Sequence, residues 1–381
     1  MSTPSRKLDH IRLAVDASIE HSRRPLFELV ELVHVAVPEN SLKAVDLRVE
    51  FLGRVLSAPI MITGMTGGHS VAAKINCSIA RAAAELGLAM GVGSQRAGLE
   101  HPELAYTYSV VRDCGGGDVV VVANIGAPQL AEGYGVAEAR KAIEMVDADA
   151  LAVHLNAAQE SFQPEGDTNY RGVLAAIKNL VENIDVPVIV KETGHGIGLE
   201  AALMLGSIGV NYFDVSGAGG TSWVKVEYYR ALTVDKKLAE AARTFSDWGI
   251  ATLQATIEAR WAVPYSCIIA SGGIRSGLDA AKAIAAGADL VGVALPVMRA
   301  YSERGEEGIR ELLETYMYEI KTALFLTGAR NLKELREKPL IIHEPLRSIL
   351  ERRGVYVDLY LDTLRKRVTP GKWCKPGGRP S

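Results

Sequence analysis

The chain has 381 residues, 48% of them apolar and 23% charged, with a formal net charge of -3, the composition of an ordinary globular protein. That charge balance argues against an electrostatic nucleic-acid binder, and no run approaches the roughly 18 uninterrupted apolar residues of a membrane span. The N-terminal MSTPSRKLDHIRLAV lacks the apolar core of a signal peptide, and the four cysteines (Cys77, Cys114, Cys267 and Cys374) form no CxxC pair, so a cytoplasmic protein with reduced thiols is expected.

Short β-branched runs recur along the chain, each followed by Gly or polar punctuation and then a helical period. In order they are Ala58–Thr63, Leu88–Gly93, Val119–Ile125, Leu151–Asn156, Val186–Lys191, Tyr212–Ser216, Cys267–Ser271 and Leu290–Leu295. Ala-rich amphipathic segments lie between them, most clearly Val71–Leu86 and Leu278–Ala286. Near-continuous apolar strands suit a parallel sheet covered by helices. Eight βα units in about 270 residues match a closed (β/α)₈ TIM barrel; an open doubly wound sheet would show the same alternation. Residues 1–55 read as an N-terminal extension packing on the barrel, 56–330 as the barrel core, and 331–381 as a C-terminal extension with a mobile basic tail, TPGKWCKPGGRPS. A long insertion after strand six, residues 218–245, has the length of a functional lid or a disordered loop.

In such a barrel the chemistry gathers at the C-terminal strand ends. Strand one leads into Thr63, Gly64, Met65, Thr66, Gly67 and Gly68, and strand two into Gly93, Ser94, Gln95 and Arg96. Strand three ends at Asn124 and strand five at Lys191, while strand six opens into Ser216 and Gly219 to Trp223, with Thr221 between them. SGGIRSG after strand seven, with Gly273 and Arg275, sets glycines and backbone N–H groups before a helix start. With Ala294 and Leu295 after strand eight, it is expected to bind a phosphate. Lys191, Asn124, Ser94 and Thr66 would surround one planar, polar-edged cofactor, where a cation stabilises an anionic reduced flavin; a Schiff-base lysine is the competing reading. Strand four carries His154 and Asn156 two apart, so both side chains point the same way, and Gln159 and Glu160 follow at its mouth. With a carboxylate available for a hard cation, that combination looks built to hold an anionic, metal-bound ligand.

Taken together in this order and spacing, Arg6-Lys7-x-Asp9-His10, Met65-Thr66-Gly67-Gly68, Gly93-Ser94-Gln95-Arg96, His154-Leu155-Asn156 with Gln159-Glu160, Lys191-Glu192, Gly219-Gly220-Thr221-Ser222-Trp223 and Ser271-Gly272-Gly273-Ile274-Arg275 resemble the type 2 isopentenyl diphosphate isomerases over nearly the whole chain. Ala157 stands where that family carries proline, and the Thr193-Gly194-His195 loop also departs from its pattern. The resemblance implies interconversion of isopentenyl and dimethylallyl diphosphate with reduced FMN, Mg²⁺ and NAD(P)H as reductant, in a homotetramer or homo-octamer. It assigns Gln159, Lys191 and His154 to catalysis, with Gln159 meeting the reacting carbons; the substrate's diphosphate would be met by Arg6, Lys7, Ser94, Arg96, His154 and Asn156, Mg²⁺ by Glu160, and the hydrocarbon end by Trp223 and the 218–245 insertion. FMN contacts fall to Met65, Thr66, Gly67, Ser94, Asn124, Lys191, Ser216, Thr221, Gly273, Arg275, Ala294 and Leu295. A flavin oxidoreductase and a non-catalytic flavin- or phosphate-binding barrel are the alternatives.

Overall fold

The structure is a computed structural model that describes Leu13, residues 18–367 and residues 370–376. Eight parallel strands close into one barrel: β1 (Ile60–Ile62), β2 (Ala89–Gly91), β3 (Val120–Gly126), β4 (Ala150–His154), β5 (Val188–Lys191), β6 (Tyr212–Asp214), β7 (Cys267–Ser271) and β8 (Leu290–Val293). Closure is made by β8 against β1, with Val291 opposite Ile60 and Val293 opposite Ile62. Each expected run coincides with one strand to within a few residues at its ends; β3 runs on to Gly126 and β4 starts at Ala150. Apart from polar residues toward their C-terminal ends, these strands are apolar because the barrel interior buries one face and the helices bury the other. The register sets three functional side chains abreast, since His154 pairs with Lys191 and Lys191 with Asp214.

Local chemistry fixes where the helices begin and end. The helix Ser70–Leu86 starts where His69 accepts the Val71 N–H and stops at Gly87, whose φ of 64° is the left-handed cap that glycine adopts without strain. Ser276 caps Gly277–Ala285 by accepting the Asp279 N–H. The insertion after β6 is neither disordered nor a bare loop. It folds into two helices, Trp223–Ala231 and Lys236–Thr244, capped by Ser222 and Asp235.

At the N-terminal end of the strands, a hairpin of Val49–Phe51 and Arg54–Leu56 turns through Leu52 and Gly53, both at positive φ. Its Leu52 N–H donates to the Cys374 carbonyl, and Cys374 is disulfide-bonded to Cys267 at the start of β7. The mobility expected of the tail therefore does not hold for residues 370–376. Cys374 is buried, Lys375 pairs with Glu50 at 2.5 Å, and the Trp373 ring packs edge-on to Tyr265. The expectation of reduced thiols is also overturned. A second disulfide joins Cys77 on one helix to Cys114 on the neighbouring Tyr106–Gly115 helix. Sequence separations of 37 and 107 conceal both pairs, because helix packing and barrel closure bring them together. Among the described residues no helix is long and apolar enough to cross a membrane.

Candidate active site

One large cleft opens at the C-terminal mouth, lined from all eight strand ends. It gathers Met65, Thr66, Ser94, Arg96, Asn124, His154, Asn156, Gln159, Glu160, Lys191, Ser216, Thr221, Trp223, Gly273, Arg275, Ala294 and Leu295. Gly67 is the exception. A Cβ there would lie 1.9 Å from Cε1 of Tyr108, so this glycine makes room for the tyrosine that buttresses the loop, and only its backbone could meet a ligand. Arg6 and Lys7 lie outside the described residues.

Two kinds of glycine build the cleft's walls. Gly64 and Gly93 let neighbouring strand ends close up, since a Cβ on the first would sit 2.0 Å from the Val92 carbonyl oxygen. Gly272 and Gly273, at φ 98° and 76°, interlock with the glycines after β6, and a Cβ on Gly220 would meet the Gly273 nitrogen at 2.4 Å. The backbone is thus bare where the 271–273 turn meets the start of the Leu295–Leu326 helix, whose N-terminus has no side-chain cap. Such a place suits a phosphate. Arg275 stands beside it, held by Glu20, which also takes Arg299 at 2.8 Å. Burial pushes the Glu20 carboxyl up, but the two guanidinium groups outweigh it and hold it below the usual range.

On the opposite side, His154 Nδ1 sits 2.8 Å from Asn124 Oδ1. The Asn124 amide is itself fixed by donating to the Val92 carbonyl, so its oxygen faces His154 and the ring donates from Nδ1. Lys191 Nζ donates to the Glu192 backbone carbonyl at 2.8 Å and not to the Glu192 carboxylate. That carboxylate is consumed by the backbone N–H groups of Thr193, Gly194, His195 and Gly196, which shapes the loop where this chain departs from the family pattern. Below Lys191, Asp214 is fully buried and accepts the Ser271 hydroxyl on Oδ1, while Oδ2 has no hydrogen-bond partner. Burial pushes its carboxyl above the ordinary range, against the pull of Lys191 and Ser271. Thr66, 2% exposed, likewise has a hydroxyl without a partner while lining the cleft.

The turn after β4 carries the other polar groups. Asn156 donates to Glu160 Oε1 at 2.8 Å and accepts from the Tyr170 hydroxyl at 2.9 Å. Glu160 Oε2 accepts from the Asp167 N–H at 2.8 Å and from Gln163 at 3.3 Å. These donors hold both oxygens of the carboxylate in place at the cleft, where it could ligate a hard cation. Gln159 Nε2 donates to Glu227 Oε1 at 2.9 Å. Ala157, in place of the family's proline, opens the short helix Ala157–Glu160, and Gln159 stays buried and held. Facing these groups is an apolar wall of Ile19, Trp223, Val226, Leu295 and Met298.

Glu227 escaped the sequence reading. It lies on the insertion, four residues past the glycine-rich run, with no motif to mark it; a fully buried carboxylate is the signal, and only packing reveals it. Ile19 and Glu20, from the N-terminal segment, were missed for the same reason. That segment pairs with the loop after β6 through Ser222 N–H to the Ile19 carbonyl, 2.8 Å, and His21 N–H to the Gly220 carbonyl, 2.8 Å. His21 behind it is pulled down to about 4 by burial and by His195.

The cleft meets the demands of a flavin phosphate and ring. Bare glycine backbone lies at the phosphate end, with a lysine and a threonine hydroxyl that lacks a hydrogen-bond partner on the same cleft, and the Glu160 carboxylate could hold a metal there. The FMN-dependent dehydrogenase family matches residues 116–342. Solved structures of similar fold include a Pediococcus acidilactici lactate oxidase, 20% identical with a TM-score of 0.61 over 90% of this chain and 88% of the other. A flavocytochrome b2 variant is 17% identical with a TM-score of 0.63, covering 87% of this chain and 82% of its own. Much nearer in sequence is the isopentenyl-diphosphate delta-isomerase of Ignicoccus hospitalis, 49% identical over 93% of this chain and 98% of the relative. Those of Metallosphaera sedula, 45% identical over 96% and 100%, and of Pyrococcus furiosus, 48% over 92% and 90%, are similar too. By this identity over nearly its whole length, on a barrel of the FMN-dependent kind, the chain belongs to the type 2 isopentenyl-diphosphate delta-isomerases.

Proposed function

We propose that the chain interconverts isopentenyl and dimethylallyl diphosphate by adding a proton at one carbon and removing one from another, with reduced FMN and Mg²⁺ bound in the cleft. The observation that carries this reading is the convergence of Lys191, the orphaned Thr66 hydroxyl and the Gly272–Gly273 turn with the Asn156-Gln159-Glu160 cluster around one cavity. Bound reduced flavin would supply an electron-rich ring and an exchangeable proton beside the double bond. Lys191 holds a positive charge where such a ring's polar edge would lie, and Thr66, Ser94, Asn124, Ser216 and Thr221 offer polar groups around it. Gly273, Arg275, Ala294 and Leu295 would hold the flavin's phosphate.

The diphosphate of the substrate would be met by Arg96, Ser94, His154 and Asn156, together with Arg6 and Lys7. Glu160 would hold Mg²⁺, which takes one or two carboxylates and fills its shell with water and phosphate oxygens. With His154 Nδ1 donating to Asn124, Nε2 would meet the anion as the second N–H of an imidazolium. Gln159 stands where the reacting carbons would be brought, and the Ile19, Trp223, Val226, Leu295 and Met298 wall excludes water from the hydrocarbon. NAD(P)H as reductant, and a cytoplasmic homotetramer or homo-octamer, are parts of the reading that rest on the family resemblance.

The test is an anaerobic assay of purified protein with reduced FMN, Mg²⁺ and isopentenyl diphosphate. Dimethylallyl diphosphate should form without net redox change. A stoichiometric oxidised product would instead support a flavin oxidoreductase, and no turnover would support a binding barrel. In the same assay, Glu160→Ala should lose Mg²⁺-dependent turnover while binding FMN as the parent does; undiminished turnover removes Glu160 from the metal site.

A further inference from the structure

Two neighbouring residues of the N-terminal segment serve opposite ends of the cleft. Ser222 N–H donates to the Ile19 carbonyl and His21 N–H to the Gly220 carbonyl, both at 2.8 Å, and Glu20 bridges antiparallel to Thr221. Successive side chains on such an extended backbone point to opposite sides. The Ile19 side chain is buried against Val226 and Leu295 in the apolar wall. The Glu20 carboxylate goes instead to the phosphate end. Its Oε1 accepts from Arg275 Nε at 3.1 Å and from Nη2 of the same guanidinium, and its Oε2 accepts from Arg299 Nη1 at 2.8 Å, from the helix after β8.

A long arginine side chain loses entropy when a ligand must order it, and a partner that orders it beforehand removes that cost. Glu20 takes the Nε and Nη2 side of Arg275, and Nη1 donates to the Ile274 carbonyl at 3.0 Å. A guanidinium has five N–H groups, so one on Nη1 and one on Nη2 remain for an anion, the pairing that grips phosphate at two points. Arg275 lines the cleft beside Gly272 and Gly273, whereas Glu20 and Arg299 lie outside its lining, so the carboxylate holds the guanidinium without occupying the phosphate's place. We propose that Glu20, backed by Arg299, is a positioning residue that holds Arg275 ready for the flavin phosphate, and so ties flavin occupancy to the seating of Ile19 in the apolar wall. The tie runs both ways: whatever the seated Glu20 adds to FMN affinity, bound FMN adds to the seating of the segment. The inference rests on the flavin reading of the cleft and is independent of the isomerisation.

FMN and riboflavin differ only in the phosphate, so titrating the apoprotein with each by fluorescence isolates the effect. In Glu20→Gln, FMN affinity should fall about tenfold, as for one charge-assisted hydrogen bond lost, while riboflavin affinity stays at the parent value. Arg299→Met leaves Glu20 and Arg275 paired but takes away the backing, and should show the same pattern with a smaller loss. Hydrogen exchange reads the other direction of the tie. In the parent, saturating FMN should slow exchange of the His21 and Ser222 N–H groups about tenfold more than saturating riboflavin does. In Glu20→Gln the two flavins should slow it alike. Equal losses for both flavins, or no loss for either, would make Glu20 a structural residue. A rise in FMN affinity, which the removal of a negative charge alone would give, would make the carboxylate a competitor of the phosphate. Either result overturns the proposal, as does exchange in the parent that ignores the phosphate. A parent that binds neither flavin overturns the flavin reading, and the inference with it. One that binds FMN in this pattern yet forms no dimethylallyl diphosphate overturns the isomerase reading alone.

Discussion

The two ends of the barrel both bury charge, yet they treat it in opposite ways. At the N-terminal floor, Asp289 is fully buried and accepts from Arg260, from the Ile268 N–H at 2.9 Å and from the Gly371 N–H at 3.1 Å, with Arg336 3.6 Å away. Arg260 spends its remaining donors on the carbonyls of Gly287, Pro264 and Ser266. Burial still pulls Arg336 down to about 10, against the opposing pull of Asp289. Toward the C-terminal mouth, the Thr66 hydroxyl and Asp214 Oδ2 make no side-chain hydrogen bond among the described residues. Buried polar groups are nearly always satisfied, so an unsatisfied hydroxyl that lines a cleft, as Thr66 does, marks a place where a ligand can complete the structure. The floor is built for stability and the mouth for occupancy, in keeping with the division of labour in this fold.

The comparison breaks most visibly at Asp289. Replacing it by Asn leaves two guanidinium groups buried without their countercharge, and breaking a buried pair costs about 3–5 kcal/mol. Thermal melting of Asp289→Asn should show that loss, while the FMN affinity of the fraction that folds stays at the parent value. A variant that melts like the parent would mean that the floor's carboxylate is not the keystone its contacts describe. A smaller effect is expected at the Cys267–Cys374 bond, which closes a loop of separation 107 and pins the 370–376 segment under the hairpin. Cys374→Ser should lower stability by about 2–4 kcal/mol, again without touching flavin binding. The parent should lose a similar amount in strong reductant. If reductant leaves the parent's melting unchanged, the thiols expected from the sequence are what the protein carries.

Legibility followed the same division. The eight strands could be read because a parallel barrel strand must be apolar on both faces, and runs such as Val119–Ile125 and Cys267–Ser271 have no other use for so many β-branched residues. The mouth could be read because its polar residues break those runs at fixed places, as Asn156 and Glu160 do just past β4. What stayed hidden depends on distant parts of the chain meeting. Cys374 reaches Cys267 only after the whole barrel has closed, and Glu227 reaches Gln159 only because the insertion folds into a helix over the mouth.

The smallest expected effect tests the mouth most directly. Thr66 lies in the loop after β1 with its backbone carbonyl held by the Gly93 N–H, 3.0 Å, and by Asn76 Nδ2, 3.3 Å. Neither contact involves the side chain, so Thr66→Val keeps the loop and the volume and removes only the hydroxyl. A buried hydroxyl without a partner costs the empty protein about 1–3 kcal/mol of desolvation. The flavin-free Val variant should therefore melt at or above the parent. If the hydroxyl is there to meet the flavin, its loss removes one hydrogen bond to the ligand, and FMN affinity should fall about tenfold, equivalent to about 1.4 kcal/mol. Melting of the apoprotein and a fluorescence titration with FMN read the two quantities separately. Opposite signs in one variant are what a group reserved for a ligand must give. A loss of stability with unchanged FMN affinity would instead make Thr66 a structural residue like those of the floor.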